Sequence, residues 1–127
     1  MFEKGSEHII LYVEDDFANR TLIRRILEAE GYRVLEAENG PQGIEVARRE
    51  RPTLILVDIN MPGMDGYEVT ARLKGLDELR AVPIIALTAN VMMGDREKTL
   101  AAGCSGYIQK PIDVDRLPGQ IATFLER

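Results

Sequence analysis

The sequence predicts an α/β fold with a doubly wound parallel sheet covered by helices on both faces. Three observations predict it. Short apolar runs rich in β-branched residues alternate along the chain with longer segments whose apolar residues recur at helical spacing. Several of the short runs are continuously apolar, which is typical of strands buried on both faces. A helical pattern follows each run. In such a sequence each helix connects two parallel strands through a right-handed crossover.

Five strands are expected from these runs. They are IILYV (9–13), YRVLEA (32–37), TLILVD (53–58), VPIIALT (82–88) and GYIQK (106–110). Five strands fit the flavodoxin-like (βα)5 order 2-1-3-4-5 better than the six-stranded dinucleotide-binding order. Strand 1 is then central, and its carboxyl end lies beside that of strand 3. The strand order reverses there, and ligands bind at such points in open α/β sheets.

The five helices are predicted from apolar spacing and from their end signals. Their apolar residues are Leu22, Ile23, Ile26 and Leu27; Ile44 and Ala47; Val69 and Leu73; a sparse set between 91 and 103; and Leu117, Ile121, Phe124 and Leu125. Gly31 is expected to end the first helix. Asn39 and Asp65 are expected to cap the second and third, with Pro41 in the first turn of the second. The fourth helix, with so few apolar residues, is expected to pack loosely.

Pro118 and Gly119 fall where the fifth helix is expected to run. Proline lacks an N–H donor and clashes with the preceding turn of a helix unless it lies in the first turn. We therefore predict a short turn over 113–117 and the main helix from Pro118.

Length and composition limit the domain organisation and the classes of function that the chain can have. The 127 residues suit one domain with one core, so we expect a single domain over 1–127 with no output domain. The net charge of −5 argues against direct nucleic-acid binding. No apolar run approaches the roughly 20 residues of a membrane span, and the N-terminus lacks a signal-peptide layout. The single cysteine, Cys104, excludes an internal disulfide and is typical of a reducing cytoplasm.

Acidic residues end two of the strands that should be neighbours. Glu14, Asp15 and Asp16 follow the first strand, and Asp58 ends the third. Two carboxylates about 4 Å apart repel by about 4 kcal/mol at an effective dielectric near 20. A hard cation such as Mg²⁺, which prefers oxygen ligands, relieves this repulsion. These segments offer no thiolate or imidazole for zinc. Asp16 is expected to cap the first helix instead.

Two further strand ends add polar groups to the same edge. Strand 4 ends at Thr88 and strand 5 at Lys110. A hydroxyl, a lysine and a metal-binding acid cluster together suit a phosphoryl group, whose oxygens they can bind. An aspartate in such a cluster can act as the nucleophile and form an acyl phosphate.

Four motifs in this order resemble one family over nearly the whole chain. They are VEDD (13–16), LILVDINMPGMDG (54–66), ALTA (86–89) and GYIQKPI (106–112). The sequence resembles the receiver domain of two-component response regulators, of the CheY type. The segment 86–113 is similar both to receivers of hybrid kinases and to single-domain regulators of the DivK type.

The resemblance implies a role for each matching residue at the metal site. Asp58 is expected to be the phosphoacceptor. Asp15 would be a direct Mg²⁺ ligand, Glu14 would act through water, and the carbonyl of Asn60 would complete the protein ligands. Glu14 replaces the aspartate that is more frequent in the family, and its longer side chain could shift the metal geometry.

The resemblance also implies the switch. Thr88 would move to bind the phosphoryl group, and Lys110, before a cis proline, would pair first with Asp58 and then with the phosphate. Tyr107 would reorient on activation. Asn60 and Asn90 occupy positions that tune phosphoryl lifetime in the family. The proline in the fifth helix would alter the helix 4–strand 5–helix 5 face, where many members dock partners.

The preferred hypothesis is a phosphorylation switch that takes its phosphoryl group from a histidine kinase or phosphotransfer protein, hydrolyses it again and acts on an unknown downstream protein. The only histidine, His8, precedes a strand, so the donor histidine is expected on another protein. Cys104 and the pair Met61 and Met64 are interpreted as packing residues.

Three alternatives stay open at this point. A flavodoxin-type electron carrier needs a phosphate-cradling loop after strand 1 and flavin-stacking aromatics, whereas this loop is acidic and the chain has no tryptophan. A degenerate receiver generally lacks an acid, threonine or lysine that this chain keeps. The chain could also be a receiver from a hybrid kinase, although its start at Met1 and its end soon after helix 5 favour a complete small protein.

Overall fold

The computed structural model describes residues 8–89 and 93–126, with the side chains of 93–96 excepted. It contains one five-stranded parallel sheet in the order β2-β1-β3-β4-β5, which confirms the predicted fold class. The strands are β1 (Ile9–Val13), β2 (Arg33–Ala37), β3 (Leu54–Asp58), β4 (Ile84–Thr88) and β5 (Gly106–Gln109). Each lies within the predicted run.

Five α-helices connect or follow the strands. They are α1 (Phe17–Ala29), α2 (Gly40–Glu50), α3 (Gly66–Lys74), α4 (Met93–Ala101) and α5 (Leu117–Leu125), with a short 3₁₀ helix at Asp77–Leu79. The three predicted caps are confirmed. Side-chain oxygens of Asp16, Asn39 and Asp65 each accept a hydrogen bond from the amide three residues on, at 2.8, 2.8 and 3.0 Å. These bonds satisfy amides that have no partner within the helix.

The hydrophobic core has two layers, one on each face of the sheet. The first layer packs β1, β3 and β4 against α2 and α3, through residues that include Leu11, Val57, Val69 and Leu73. The second packs the opposite face of the same strands against α1 and α5, through residues that include Tyr12, Leu56, Ile23 and Ile121. Strands β1, β3 and β4 are therefore covered on both sides, which explains their continuously apolar sequences.

The apolar residues of α1 are not all buried. Ile23 and Leu27 are buried, but Leu22 is 49% exposed. Residues 23 and 27 are four apart and share one face, whereas residue 22 lies about 100° round the helix from residue 23. Leu22 instead borders a surface cavity of about 450 Å³ together with Pro111 and Ile112.

Helix α4 has the sparse apolar face that the sequence predicted, as far as its side chains are described. Of residues 97–101, only Thr99 is buried, and Leu100 is 50% exposed. The predicted span of 91–103 begins outside the described residues, which resume at 93.

Helix α5 begins at Leu117, one residue before the predicted start at Pro118, so the predicted turn followed by a late helix is confirmed to within one residue. A turn over 114–116 precedes the helix, and Pro118 lies in its first turn. Asp113 organises this turn, because its Oδ1 accepts hydrogen bonds from the amides of Asp115 and Arg116 at 3.0 and 3.4 Å. No helix in the described part of the chain is long and apolar enough to cross a bilayer.

Candidate functional site

The carboxyl ends of β1 and β3 lie side by side and bring three acids together. Val13 pairs with Val57 in the sheet, so Glu14 and Asp58 follow at the same level. Carboxylate oxygens of Glu14, Asp15 and Asp58 all lie within 4.8 Å of one another, and no other group of three possible metal ligands occurs among the described residues. Glu14 and Asp58 are each only 2% exposed, whereas Asp15 is exposed.

Lys110 reaches this cluster from the end of β5. Its Nζ donates to Asp58 Oδ1 at 2.8 Å and lies 3.9 Å from Glu14 Oε1. The amide of Lys110 donates to the carbonyl of Thr88 at 2.8 Å, which ties the ends of β4 and β5 together. The Lys110–Pro111 peptide bond is cis, as the resemblance implied. Asp58 Oδ1 also accepts from the amide of Asn60 at 3.2 Å.

Glu14 is held on both of its carboxylate oxygens. Oε1 accepts from the hydroxyl of Tyr12 at 3.0 Å, and Oε2 accepts from the amide of Asp16 at 3.2 Å. Burial raises the pKa of Glu14 to about 7, because removal from water disfavours the charged form. The amide of Asp16 opposes this rise in pKa, and the negative charge of Asp58 adds to it.

Sequence reasoning missed Tyr12 and Arg20 at this site. Arg20 is buried and donates from Nη1 to the backbone carbonyl of Glu14 at 2.7 Å, while its Nε pairs with Glu36 at 3.2 Å. A signal for Tyr12 was available, because residues two apart in a strand point to the same face. No sequence pattern predicted Arg20, since its contact depends on how α1 crosses the end of β1.

Thr88 and Tyr107 lie on one face of the sheet. Ala86 pairs with Tyr107 and Thr88 with Gln109, and residues two apart in a strand point to the same face, so all four side chains lie on one face of the sheet. Thr88 is buried at the end of β4, and Tyr107 is half-buried against the core layer under α2 and α3. Asn90 lies outside the described residues.

The remaining residues named from the sequence are not members of the acid cluster. Asp16 caps α1. Met61 is buried in the core, Met64 packs against it, and Cys104 is buried with its Sγ 3.6 Å from the Thr70 hydroxyl. The packing interpretation of Met61, Met64 and Cys104 is therefore confirmed. His8 lies just before β1 with its ring edge towards Tyr32, on no helix.

The donor set of the cluster fits a hard divalent cation. All three of its side chains supply carboxylate oxygens, the ligands that Mg²⁺ prefers, and none supplies a thiol or an imidazole. Of these three carboxylates, Glu14 and Asp58 pair with the ammonium of Lys110 in the described part of the chain. The excess of negative charge would be neutralised by a bound cation.

Comparisons with known proteins agree with this geometry. The family model described as the response regulator receiver domain matches residues 10–122. The polar-differentiation response regulator DivK of Brucella anthropi is 45% identical over 116 residues, which are 91% of this chain and 94% of that protein.

Solved structures give the same result. The receiver domain of the sensor histidine kinase PA1611 from Pseudomonas aeruginosa, which carries a magnesium ion in its active-site cleft, is 39% identical with a TM-score of 0.86. That match covers 94% of this chain and 98% of that one. Chemotaxis protein CheY4 of Vibrio cholerae is 26% identical with a TM-score of 0.89, over 92% and 98% of the two chains.

These matches decide which family the chain belongs to, a question that the sequence alone left open. They favour a receiver over a flavodoxin-type electron carrier, and they include both a DivK regulator and a receiver from a histidine kinase. The family model covers β1 from its second residue, the other four strands, helices α1 to α4 and the first part of α5. We conclude that the chain belongs to the response regulator receiver domains of two-component signalling.

Proposed function

We propose that this receiver is a phosphorylation switch whose phosphoacceptor is Asp58. The observation that carries the proposal is the environment of that carboxylate. Asp58 is 2% exposed at the end of β3, is bonded by Lys110 at 2.8 Å and lies within the acid cluster. A carboxylate so placed is oriented by a cation on one side, and its other oxygen is available to attack.

The covalent step transfers a phosphoryl group from a phosphohistidine of another protein. A carboxylate oxygen of Asp58 attacks the phosphorus, the new O–P bond forms as the P–N bond breaks, and the donor imidazole leaves with its electron pair and takes up a proton. The ammonium of Lys110 then turns from Asp58 to a phosphoryl oxygen, and the Thr88 hydroxyl binds another. In the reverse modification water attacks the phosphorus, the O–P bond to Asp58 breaks, the carboxylate leaves, and inorganic phosphate and a proton are released, so the domain dephosphorylates itself.

Mg²⁺ is the proposed cofactor. Asp15 and Asp58 would hold it directly with the carbonyl of Asn60, and Glu14 would act through water. The mutual proximity of the three carboxylates supports this assignment, as does the magnesium ion in the PA1611 receiver. When bound, the ion neutralises charge on the transferring phosphoryl oxygens.

The proposed output is a change in the α4–β5–α5 face. Thr88 and Tyr107 share a face of the sheet, so movement of Thr88 towards the phosphoryl group opens space that Tyr107 can enter. Phosphorylation would then bias an existing equilibrium between two arrangements of this region. The sparse packing of α4 supports this choice of element.

Beryllium fluoride, a phosphoryl mimic, tests the output. Added with Mg²⁺, it should shift amide NMR signals of β4, α4 and β5 together with the ring signals of Tyr107. Shifts confined to the loops around Asp58 would contradict the switch.

The proposed partners are a histidine kinase or phosphotransfer protein and an unknown downstream protein, in the cytoplasm. We propose no direct nucleic-acid or membrane partner and no output domain within the chain. Phosphotransfer from a panel of the host's kinases should identify one preferred donor, and transfer from none would contradict the proposed partner.

Acetyl phosphate tests the chemistry without a kinase. With Mg²⁺, the wild-type protein should gain one phosphoryl group by intact-mass measurement, and Asp58→Asn should gain none. Asp65→Asn is the matched control, because Asp65 caps α3 and asparagine caps equally well. This control should label like wild type. Failure of wild type to label, or equal labelling of Asp58→Asn, would refute the proposal and favour a degenerate receiver.

A further inference from the structure

Tyr12 is a buried residue whose polar atom points at the acid cluster. It lies one residue before the carboxyl end of the interior strand β1, is 0% exposed and donates its hydroxyl proton to Glu14 Oε1 at 3.0 Å. Because Tyr12 and Glu14 are two apart in an extended segment, both side chains are on the same face of the sheet. The tyrosine ring therefore runs along the strand towards its carboxyl end.

The core fixes the position of this hydroxyl. The Tyr12 ring belongs to the layer that packs the sheet against α1 and α5, with Ile10, Ile23, Leu87 and Ile108 among its members. A tyrosine side chain has only two torsions, and close packing holds both. The hydroxyl is thus a donor at a fixed point, unlike one on a surface side chain.

The Glu14 carboxylate needs a fixed hydrogen-bond donor to hold it in one orientation. A glutamate has one more rotatable bond than an aspartate, and it must lose this freedom to point in one direction. Tyr12 holds Oε1, the amide of Asp16 holds Oε2 at 3.2 Å, and Arg20 holds the Glu14 carbonyl at 2.7 Å. The amide of Asp16 belongs to the backbone and Arg20 bonds the carbonyl rather than the carboxylate. Among the core side chains that the structure describes, Tyr12 is therefore the donor to this carboxylate.

We propose that Tyr12 is a positioning residue of the metal site, which holds the Glu14 carboxylate facing Asp15 and Asp58 and so sets the affinity for Mg²⁺. The proposal rests on the magnesium site of the proposed function. Its specific content is that Tyr12 compensates for the extra methylene of Glu14, the residue at which this chain departs from the commoner aspartate. A second possibility is that Tyr12 only fills the core and uses Glu14 to satisfy a buried hydroxyl.

Tyr12→Phe separates these two roles, because it removes the hydroxyl and keeps the ring. Outer-shell partners of metal ligands typically contribute 10–100-fold in metal affinity, and we expect about a tenfold weaker Kd for Mg²⁺ by calorimetric titration. Phosphorylation by acetyl phosphate should slow at limiting Mg²⁺ and recover at saturating Mg²⁺. Tyr32→Phe is the matched control, since Tyr32 precedes β2 at the opposite end of the sheet, and its Kd should equal that of wild type.

A double-mutant cycle tests the coupling to Glu14. Glu14→Asp shortens the side chain by one methylene and moves its carboxylate out of reach of a hydroxyl fixed at 3.0 Å from the glutamate. Tyr12→Phe made in the Glu14→Asp protein should therefore change the Kd less than twofold. An unchanged Kd in the single variant Tyr12→Phe, or an equal loss in both backgrounds, would overturn the proposal.

Tyrosine-ring NMR of the wild-type protein gives a second test that needs no variant to fold. Addition of Mg²⁺ should shift the ring signals of Tyr12 and leave those of Tyr32 in place. Absence of a Tyr12 shift at saturation would contradict the proposal. If wild type itself binds no Mg²⁺, the proposed function fails; if wild type binds and the Tyr12 tests fail, only the role of Tyr12 is lost.

Discussion

Glu14 is the residue at which proton and metal binding compete. Burial raises its pKa from an ordinary 4.5 to about 7 in the folded protein. The folded state therefore binds a proton more tightly than the unfolded state does. The contribution of Glu14 to folding stability is fully present below pH 4.5 and is lost as the pH rises through about 7.

A pH dependence of Mg²⁺ affinity follows, because a cation must displace the proton from Glu14. We expect the Kd for Mg²⁺ to fall as the pH rises from about 5.5 to about 8, and Glu14→Gln to bind more weakly with a flatter pH profile. Glu97→Gln, at an exposed position on α4, should keep the wild-type profile. Calorimetric titrations at both pH values measure this. A Glu14→Gln protein with the full wild-type pH dependence would contradict the assignment.

Lys110 has opposite effects on metal binding and on phosphoryl transfer. Its ammonium lies 2.8 Å from Asp58 Oδ1 and 3.9 Å from Glu14 Oε1, so it repels a cation held by these acids. Lys110→Met removes the charge but keeps an unbranched side chain. We expect tighter Mg²⁺ binding and phosphorylation by acetyl phosphate slower by roughly 10²-fold, because a donor to the phosphoryl oxygens is lost.

Lys98→Met controls for the general effect of removing one positive charge. Lys98 is exposed on α4, and its Nζ lies 5.4 Å from the centre of the Tyr67 ring. This variant should match wild type in both measurements. Weaker Mg²⁺ binding in Lys110→Met would show that the lysine orders the acids rather than competing with the cation.

At the scale of elements, the helices differ in how closely they approach the sheet. A methyl group added at Gly43 in α2 would lie 2.8 Å from Val13 Cγ2, whereas one added at Gly119 in α5 would meet nothing within 4 Å. Overpacking typically destabilises by about 1–3 kcal/mol. Alanine in place of glycine inside a helix stabilises by roughly 0.5–1 kcal/mol where space permits.

Substitution of these two glycines by alanine should therefore change the free energy of unfolding in opposite directions. Gly43→Ala should lower the free energy of unfolding by about 1 kcal/mol as steric overlap outweighs helix propensity, and Gly119→Ala should raise it by about 0.5 kcal/mol. Chemical denaturation monitored by circular dichroism measures both. Equal stabilisation by the two substitutions would show that α2 does not press against Val13.

The elements also show what the sequence could predict. The strands were predictable because both faces of β1, β3 and β4 are buried, which leaves continuous apolar runs. The caps Asn39 and Asp65 and the position of Pro118 in the first turn of α5 were predictable because these residues act through local backbone chemistry. Apolar spacing on α1 did not distinguish the exposed Leu22 from the buried Ile23, because neighbouring residues lie only about 100° apart on a helix.

The contacts between residues of the site were harder to predict than the identity of the residues that form it. Strand order alone placed Glu14, Asp15, Asp58 and Lys110 at one edge of the sheet. The bonds from Tyr12 and Arg20 to Glu14 depend on side-chain reach and on how α1 crosses the sheet, and no local pattern encodes these. Alternation along β1 was the one signal that pointed to Tyr12.

For the whole molecule, two core layers hold three acids together against their repulsion. The burial of β1 and β3 on both faces holds the two strand ends side by side, which keeps Glu14 and Asp58 close together. The unfolded chain has no such cluster. A cation that binds only the folded state would therefore stabilise the whole domain by mass action.

Calorimetric titration of wild type, Asp15→Asn and Asp16→Asn with Mg²⁺ tests the shared metal site most directly. The two variants remove one charge at adjacent residues, but only Asp15 belongs to the cluster, while Asp16 caps α1 and asparagine replaces it well there. We predict one bound ion with similar Kd in wild type and Asp16→Asn, and loss of binding in Asp15→Asn. No binding to wild type, or equal loss in both variants, would contradict a site built from Glu14, Asp15 and Asp58.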